Sequence, residues 1–142
     1  IYVSRQDVIG QEIVTTFDIR TKLPNREPVM NTAEIHTIEH LAATFLRNHE
    51  TAADQTIYFG PMGCRTGFYF LVRDKMTKAE AIALVQKTMQ FISNYEGAIP
   101  GAQESKECGN YLDHDLTKAK TIAKEYLEVI KDWHIEQLAY PQ

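Results

Sequence analysis

The rhythm of apolar and polar positions changes several times along the chain, and each change predicts an element. After Gln11 the run Glu-Ile-Val-Thr-Thr-Phe-Asp-Ile-Arg is rich in β-branched types and predicts a strand over 11–20. It stops at Thr21-Lys22-Leu23-Pro24-Asn25, which has the composition of a turn. Asn31-Thr32-Ala33-Glu34 has the form of a capping box, and Ile35, Ile38, Leu41, Ala42, Phe45 and Leu46 then recur at three- and four-residue steps. We expect a helix from Thr32 to about Asn48 with that stripe buried. Thr56-Ile57-Tyr58-Phe59 and Thr66-Gly67-Phe68-Tyr69-Phe70-Leu71-Val72 read as neighbouring strands joined through Gly60-Pro61-Met62-Gly63-Cys64-Arg65. A second capping box, Thr77-Lys78-Ala79-Glu80, opens a helix in which Ile82, Val85, Met89 and Ile92 keep helical spacing to about Tyr95. A polar loop follows from Glu96 to Gly109. Leu116, Ala119, Ile122, Ala123, Tyr126, Leu127 and Ile130 then mark a third amphipathic helix, capped by Asp115 or Asp113.

Strands and helices do not alternate strictly, and the strands flanking Gly63 are close enough to pair antiparallel. The expected class is α+β: a single domain over 1–142, mainly an antiparallel sheet with three amphipathic helices packed on it. The chain opens on Ile1-Tyr2-Val3-Ser4, which reads as the inside of a structured segment, so we expect further residues upstream. With 15 Lys+Arg against 19 Asp+Glu, a net charge of -4 and no basic block, the composition argues against a nucleic-acid partner. No run reaches the roughly 18 to 20 apolar residues of a membrane span, and we expect a cytoplasmic protein. The two cysteines, Cys64 and Cys108, then point to thiolate chemistry or metal ligation rather than a bridge.

The sharpest chemical signal is His36-Thr37-Ile38-Glu39-His40, an H-x-x-E-H pattern on the first helix. A four-residue step at about 100° per residue returns to nearly the same side of a helix, so both imidazoles reach one ion. Glu39 lies at the edge of the same site, within reach of a bound group as an acid or base. Two histidines do not complete a metal site, and Cys64, Cys108, His49, His114 and scattered carboxylates are all candidates for a third ligand. Both cysteines sit beside glycine, and spacing alone does not choose between them. His49, His114 and His134 stand among polar neighbours and read as surface or helix-terminus residues.

Taken together, Phe17-Asp18-Ile19-Arg20, Pro24-Asn25, Ile35 to Leu41, the stretch Gly60 to Tyr69 and Cys108-Gly109 resemble the S-ribosylhomocysteine lyase, or LuxS, family. The likeness covers nearly the whole chain in order. It implies His36, His40 and Cys108 as metal ligands, Cys64 and Glu39 as the two acid/base residues, and Arg20 near the substrate. It also implies one divalent ion per chain, Fe2+ with Zn2+ or Co2+ as substitutes, and a homodimer with its sites near the interface. The sequence departs from the family in two places. Members usually carry an N-terminal segment with a serine and a histidine near the substrate, and many carry Asp-Ile-Ser where Tyr58-Phe59-Gly60 stands here.

The implied reaction splits the thioether of S-ribosylhomocysteine into homocysteine and 4,5-dihydroxy-2,3-pentanedione, the precursor of a bacterial quorum-sensing autoinducer. Two other readings use the same helix. A pitrilysin-type metallopeptidase would employ Glu39 as base for a zinc-bound water, and a non-catalytic metal-binding module would leave Glu39 and Cys64 idle.

Overall fold

The computed structural model describes residues 1–141 and has the expected α+β architecture. Four strands, β1 (Tyr2–Ile9), β2 (Glu12–Arg20), β3 (Thr56–Pro61) and β4 (Gly67–Arg73), form an antiparallel sheet in the order β1-β2-β4-β3. The helices are α1 (Thr32–Arg47), α2 (Lys78–Asn94) and α3 (Leu116–Ile130), followed by a 3-10 turn at Ile135–Leu138. No helix among the described residues is long and apolar enough to cross a membrane.

Strand alternation accounts for the sheet's inner face. The register sets Phe17 opposite Phe70 and Ile19 opposite Phe68, and Phe59 comes in from β3 to stack on Phe68 at 5.3 Å between ring centroids. All five are buried. They meet the predicted helical stripes: Ile35, Ile38, Leu41, Ala42 and Leu46 of α1, Ile82, Val85, Met89 and Ile92 of α2, and Ala119, Ile122, Ala123, Tyr126 and Ile130 of α3 are all buried in the same cluster. Phe45, Leu116 and Leu127 pack at its margin. Burial of apolar surface on this scale is the main term favouring the fold. The helix starts are also as read. Glu34 accepts a hydrogen bond from the Asn31 backbone N–H, and Thr77 accepts from the Glu80 N–H. Of the two aspartates proposed to cap α3 it is Asp115 that does so, from the Lys118 N–H at 2.9 Å.

Two elements escaped the pattern. β1 carries Arg5, Gln6 and Asp7 at its centre and has no clean alternation, because it is an edge strand with much of its length exposed. It joins β2 through Gly10-Gln11, where Gly10 has φ 64°, the sign a two-residue hairpin requires at that position. The 3-10 turn is too short to have a period. Thr66, assigned to a strand from composition, instead closes the β3–β4 loop, and this matters for the site.

That loop is tightly held. Met62 N–H donates to Gly67 O at 2.9 Å and Arg65 N–H to Met62 O at 3.0 Å, while Arg65 itself adopts φ 61°. A non-glycine residue in this left-handed region costs about 1 kcal/mol or more. Neighbouring backbone offsets it: Thr21 and Lys22 N–H groups both donate to Thr66 O, and Met30 N–H donates to Arg65 O. The tip of the hairpin is thereby tied to the start of the segment leading into α1.

Because Ile38 is fully buried beneath the His36–His40 turn, Ile38→Ala is expected to lower stability by about 2–5 kcal/mol. Urea denaturation followed by circular dichroism measures it, and a loss near zero would mean that α1 is not seated as described.

Candidate metal centre and the cleft beside it

α1 projects His36 and His40 from consecutive turns toward the loop between α2 and α3. Each ring is held from behind by a backbone carbonyl: His36 Nδ1 lies 2.9 Å from Asp113 O, and His40 Nδ1 lies 2.9 Å from Pro100 O. A carbonyl only accepts, so both Nδ1 atoms carry a proton, and in the neutral rings it is Nε2 that carries the lone pair. Those two Nε2 atoms point at one another across 3.1 Å. Two facing lone pairs repel unless a cation lies between them. Cys108 Sγ is 3.3 Å from His36 Nε2, and the three donor atoms lie within 4.8 Å of one another. Donors bound to one tetrahedral ion at ~2.0–2.3 Å stand roughly 3.3–3.7 Å apart, so the set is nearly closed around an ion's position. Two imidazoles and a thiolate suit a borderline first-row divalent metal and leave a coordination position open.

Other parts of the chain shape this group. Gly101, at φ 69°, turns the loop so that the carbonyl of Pro100 faces His40, and a Cβ there would stand 3.6 Å from His40 Nδ1. His114, read from its polar neighbours as a surface or helix-terminus residue, does sit beside the cap of α3, yet its ring is packed into the centre. It stacks on His36 with ring centroids 4.1 Å apart and meets His40 edge-on at 5.0 Å. Thr37 Oγ1 donates to Ala33 O at 3.0 Å and accepts from Asp115 N–H at 3.0 Å. The 2.9 Å contact to His114 Nδ1 is then a bond donated by the imidazole. Burial first, then the His36 and His40 rings, push His114 down to about 4, so it is neutral at pH 7. Its Nε2 is buried and meets no partner among the described residues. A clue to His114 existed in its place one residue before a helix cap; the roles of the Pro100 and Asp113 carbonyls left no trace in side-chain spacing. His49 accepts from the Thr51 and Ala52 N–H groups and His134 pairs with Glu136, both away from the centre.

An open cleft of about 320 Å³ adjoins the His36 imidazole, within the range of small-molecule sites. His36 and Glu39 line it from α1, Met62, Gly63 and Arg65 from the β3–β4 loop, and Asn110 and Asp113 from the loop before α3. Cys64 lies between two of these lining residues and is exposed. Its Sγ is 3.1 Å from Thr66 Oγ1. The Thr66 hydroxyl and its backbone N–H hold the Cys64 thiol below its ordinary value; desolvation opposes them, and the Arg20 charge adds a lesser lowering. Arg20 spends three N–H bonds locally, two on Asp18 and one on Thr66, which leaves two for another partner. On β3, Phe59 turns into the core while Tyr58 stays half exposed with its ring lying over Gly60.

The fold and this centre define a class: an α+β domain whose H-x-x-E-H helix brings two histidines and a distant cysteine into a group that could hold a metal ion. The profile of the family described as S-ribosylhomocysteinase (LuxS) matches residues 1–137. An S-ribosylhomocysteine lyase of Finegoldia magna is 54% identical over 142 residues, covering 100% of this chain and 89% of that protein. Proteins of the same name from Clostridium acetobutylicum and Porphyromonas gingivalis are 49% and 53% identical, covering 100% and 99% of the chain and 89% of each relative. The chain belongs to the S-ribosylhomocysteine lyase (LuxS) family.

Since Gly101 sets the path of the carbonyl behind His40, Gly101→Val is expected to weaken metal retention about tenfold or more, as loss of such supporting contacts commonly does. Competition with a chromogenic chelator measures it, and an unchanged affinity would show that the ring does not depend on this turn.

Proposed function

We propose that the chain cleaves the thioether of S-ribosylhomocysteine, releasing homocysteine and 4,5-dihydroxy-2,3-pentanedione. The observation that carries this reading is the convergence of His36, His40 and Cys108 donor atoms beside a cleft lined by Glu39, in a chain of this family. The thioether is on C5 of the sugar, so it leaves by β-elimination only after the carbonyl has moved from C1 through C2 to C3. A divalent ion bound at the centre, Fe2+ with Zn2+ or Co2+ as substitutes, supplies Lewis acidity that stabilises negative charge developing on the sugar oxygens.

The protein's own residues handle the protons. Each carbonyl shift removes a proton from a carbon next to the carbonyl and returns one to its neighbour, and two groups in opposite protonation states serve this best. Cys64, held toward thiolate by Thr66 and Arg20, is the proposed base. Glu39, in its carboxylic acid form, is the proposed donor, and in the last step it gives its proton to the departing homocysteine sulfur. Arg20 holds the substrate with the two N–H groups that Asp18 and Thr66 leave free. His36 and His40 keep their rings fixed through the carbonyls behind them, so the centre does not reorganise as charge develops. The third donor of the centre is a cysteine sulfur, which favours the lyase over a metallopeptidase with a carboxylate third ligand. The protein is proposed to act in the cytoplasm.

The working unit is proposed to be a homodimer. Val8 and Ile9 of β1, Ile57 and Tyr58 of β3 and Tyr69 of β4 leave apolar surface exposed on the sheet that a second copy can cover. Sedimentation should return a species of two 16.3 kDa chains, and a single chain at micromolar concentration would overturn the dimer.

The lyase reading is tested with three variants of anaerobically purified protein. Cys108→Ala should lose bound metal, whereas Cys64→Ala and Glu39→Gln should keep it and lose thiol release from S-ribosylhomocysteine by about 100-fold or more. Metal retained in Cys108→Ala together with metal lost in Cys64→Ala would exchange the two cysteine roles. Full turnover by Glu39→Gln would leave only a metal-binding module, and cleavage of an unstructured peptide without thiol release would make the protein a peptidase.

A further inference from the structure

The polar groups behind Cys64 form one continuous line. Asp18, almost fully buried, receives Arg20 Nε at 3.1 Å, Arg20 Nη2 at 2.7 Å and the Tyr140 hydroxyl at 2.7 Å. Arg20 Nη1 in turn donates to Thr66 Oγ1 at 3.0 Å, and Thr66 Oγ1 lies 3.1 Å from Cys64 Sγ. Thr66 is 5% exposed, so its hydroxyl proton needs a partner inside the protein. Arg20 only donates, so it takes a lone pair of the Thr66 oxygen and offers nothing to receive that proton. Among the described residues the acceptor within reach is Cys64 Sγ.

A sulfur that accepts from a hydroxyl so fixed is favoured as the anion, because a hydrogen bond to a charged acceptor is stronger than one to its neutral form. The geometry points to Thr66 as a positioning residue for the proposed reaction: held by Arg20, its hydroxyl gives its proton in a hydrogen bond to Cys64 Sγ and keeps that sulfur as the thiolate. This rests on the proposed role of Cys64 as base. Arg20 then acts on the sulfur largely through Thr66, by orienting the hydroxyl, and Asp18 with Tyr140 fixes Arg20. The backbone supports the same arrangement, since the Thr66 carbonyl takes the Thr21 and Lys22 N–H groups, which fixes the main chain from which the side chain projects. The other titratable and charged groups of the cleft beside Cys64 are Arg65 in its own loop, His36 and Glu39 on α1, and Asp113 in the loop before α3.

The test is the pH dependence of Cys64 alkylation by iodoacetamide in the metal-loaded full chain, read at that site by peptide mass so that Cys108 does not contribute. Thr66→Val keeps the shape and removes the hydroxyl, Thr66→Ala removes it without added bulk, and Thr66→Ser keeps it. The midpoint is expected to rise by about one pH unit or more in the Val and Ala variants, the size of a hydrogen bond to a charged group, and to stay near the parent value in Thr66→Ser. An unmoved midpoint in whichever of the Val and Ala variants folds, or a Ser variant that titrates like Val, overturns the assignment. Thiol release by the parent enzyme is measured alongside. Its absence would defeat the lyase reading while the alkylation midpoints still judged Thr66.

Discussion

The arrangement on which the rest depends is a pair of imidazole lone pairs turned toward each other. His36 and His40 present Nε2 atoms 3.1 Å apart because their Nδ1 atoms are both committed to carbonyls, of Asp113 and Pro100. Without an ion that meeting is repulsive, so the protein must hold it by other means. It does so with a helix whose apolar stripe is fully seated in the core, and with a long loop whose backbone reaches back to the rings. A metal ion bound by such a centre would relieve that repulsion and stabilise the folded state.

The proposed proton transfer is built on different elements. Cys64 rides on the tip of the β3–β4 hairpin, bent by Arg65 in a left-handed conformation and tied to Thr21, Lys22 and Met30. Behind it the Asp18–Arg20–Thr66 line connects the reactive sulfur to buried polar groups of the sheet. The proposed metal ligation and the proposed proton transfer are thus supported by separate parts of the fold that meet at one cleft. This separation lets the two cysteines, chemically alike in the sequence, take unlike parts: Cys108 lies against an imidazole nitrogen, and Cys64 against a hydroxyl.

Much of this was legible beforehand. The stripes of α1, α2 and α3, their start signals and the aromatic strands β3 and β4 follow from local periodicity, which is the property a linear sequence states directly. β1 was not legible, since an edge strand with a polar centre has no alternation to read. Thr66 was placed in a strand because threonine favours strands, and the tight hairpin overrode that preference. His114 was read by its polar neighbours in sequence, whereas its neighbours in space are two imidazoles.

By itself, the order of residues determined the helix that bears His36, Glu39 and His40 and the apolar faces that bury it, because these depend on residues within a turn or two of one another. Which cysteine joins the histidines and which carbonyls orient them depend on groups up to 77 positions apart in the chain, while the Thr66 hydroxyl, only two positions from Cys64, meets its sulfur through the shape of the turn. Only the packing of the loop before α3 and of the β3–β4 hairpin against α1 brings such groups together, because contacts at that range are selected by the whole core and not by any local pattern.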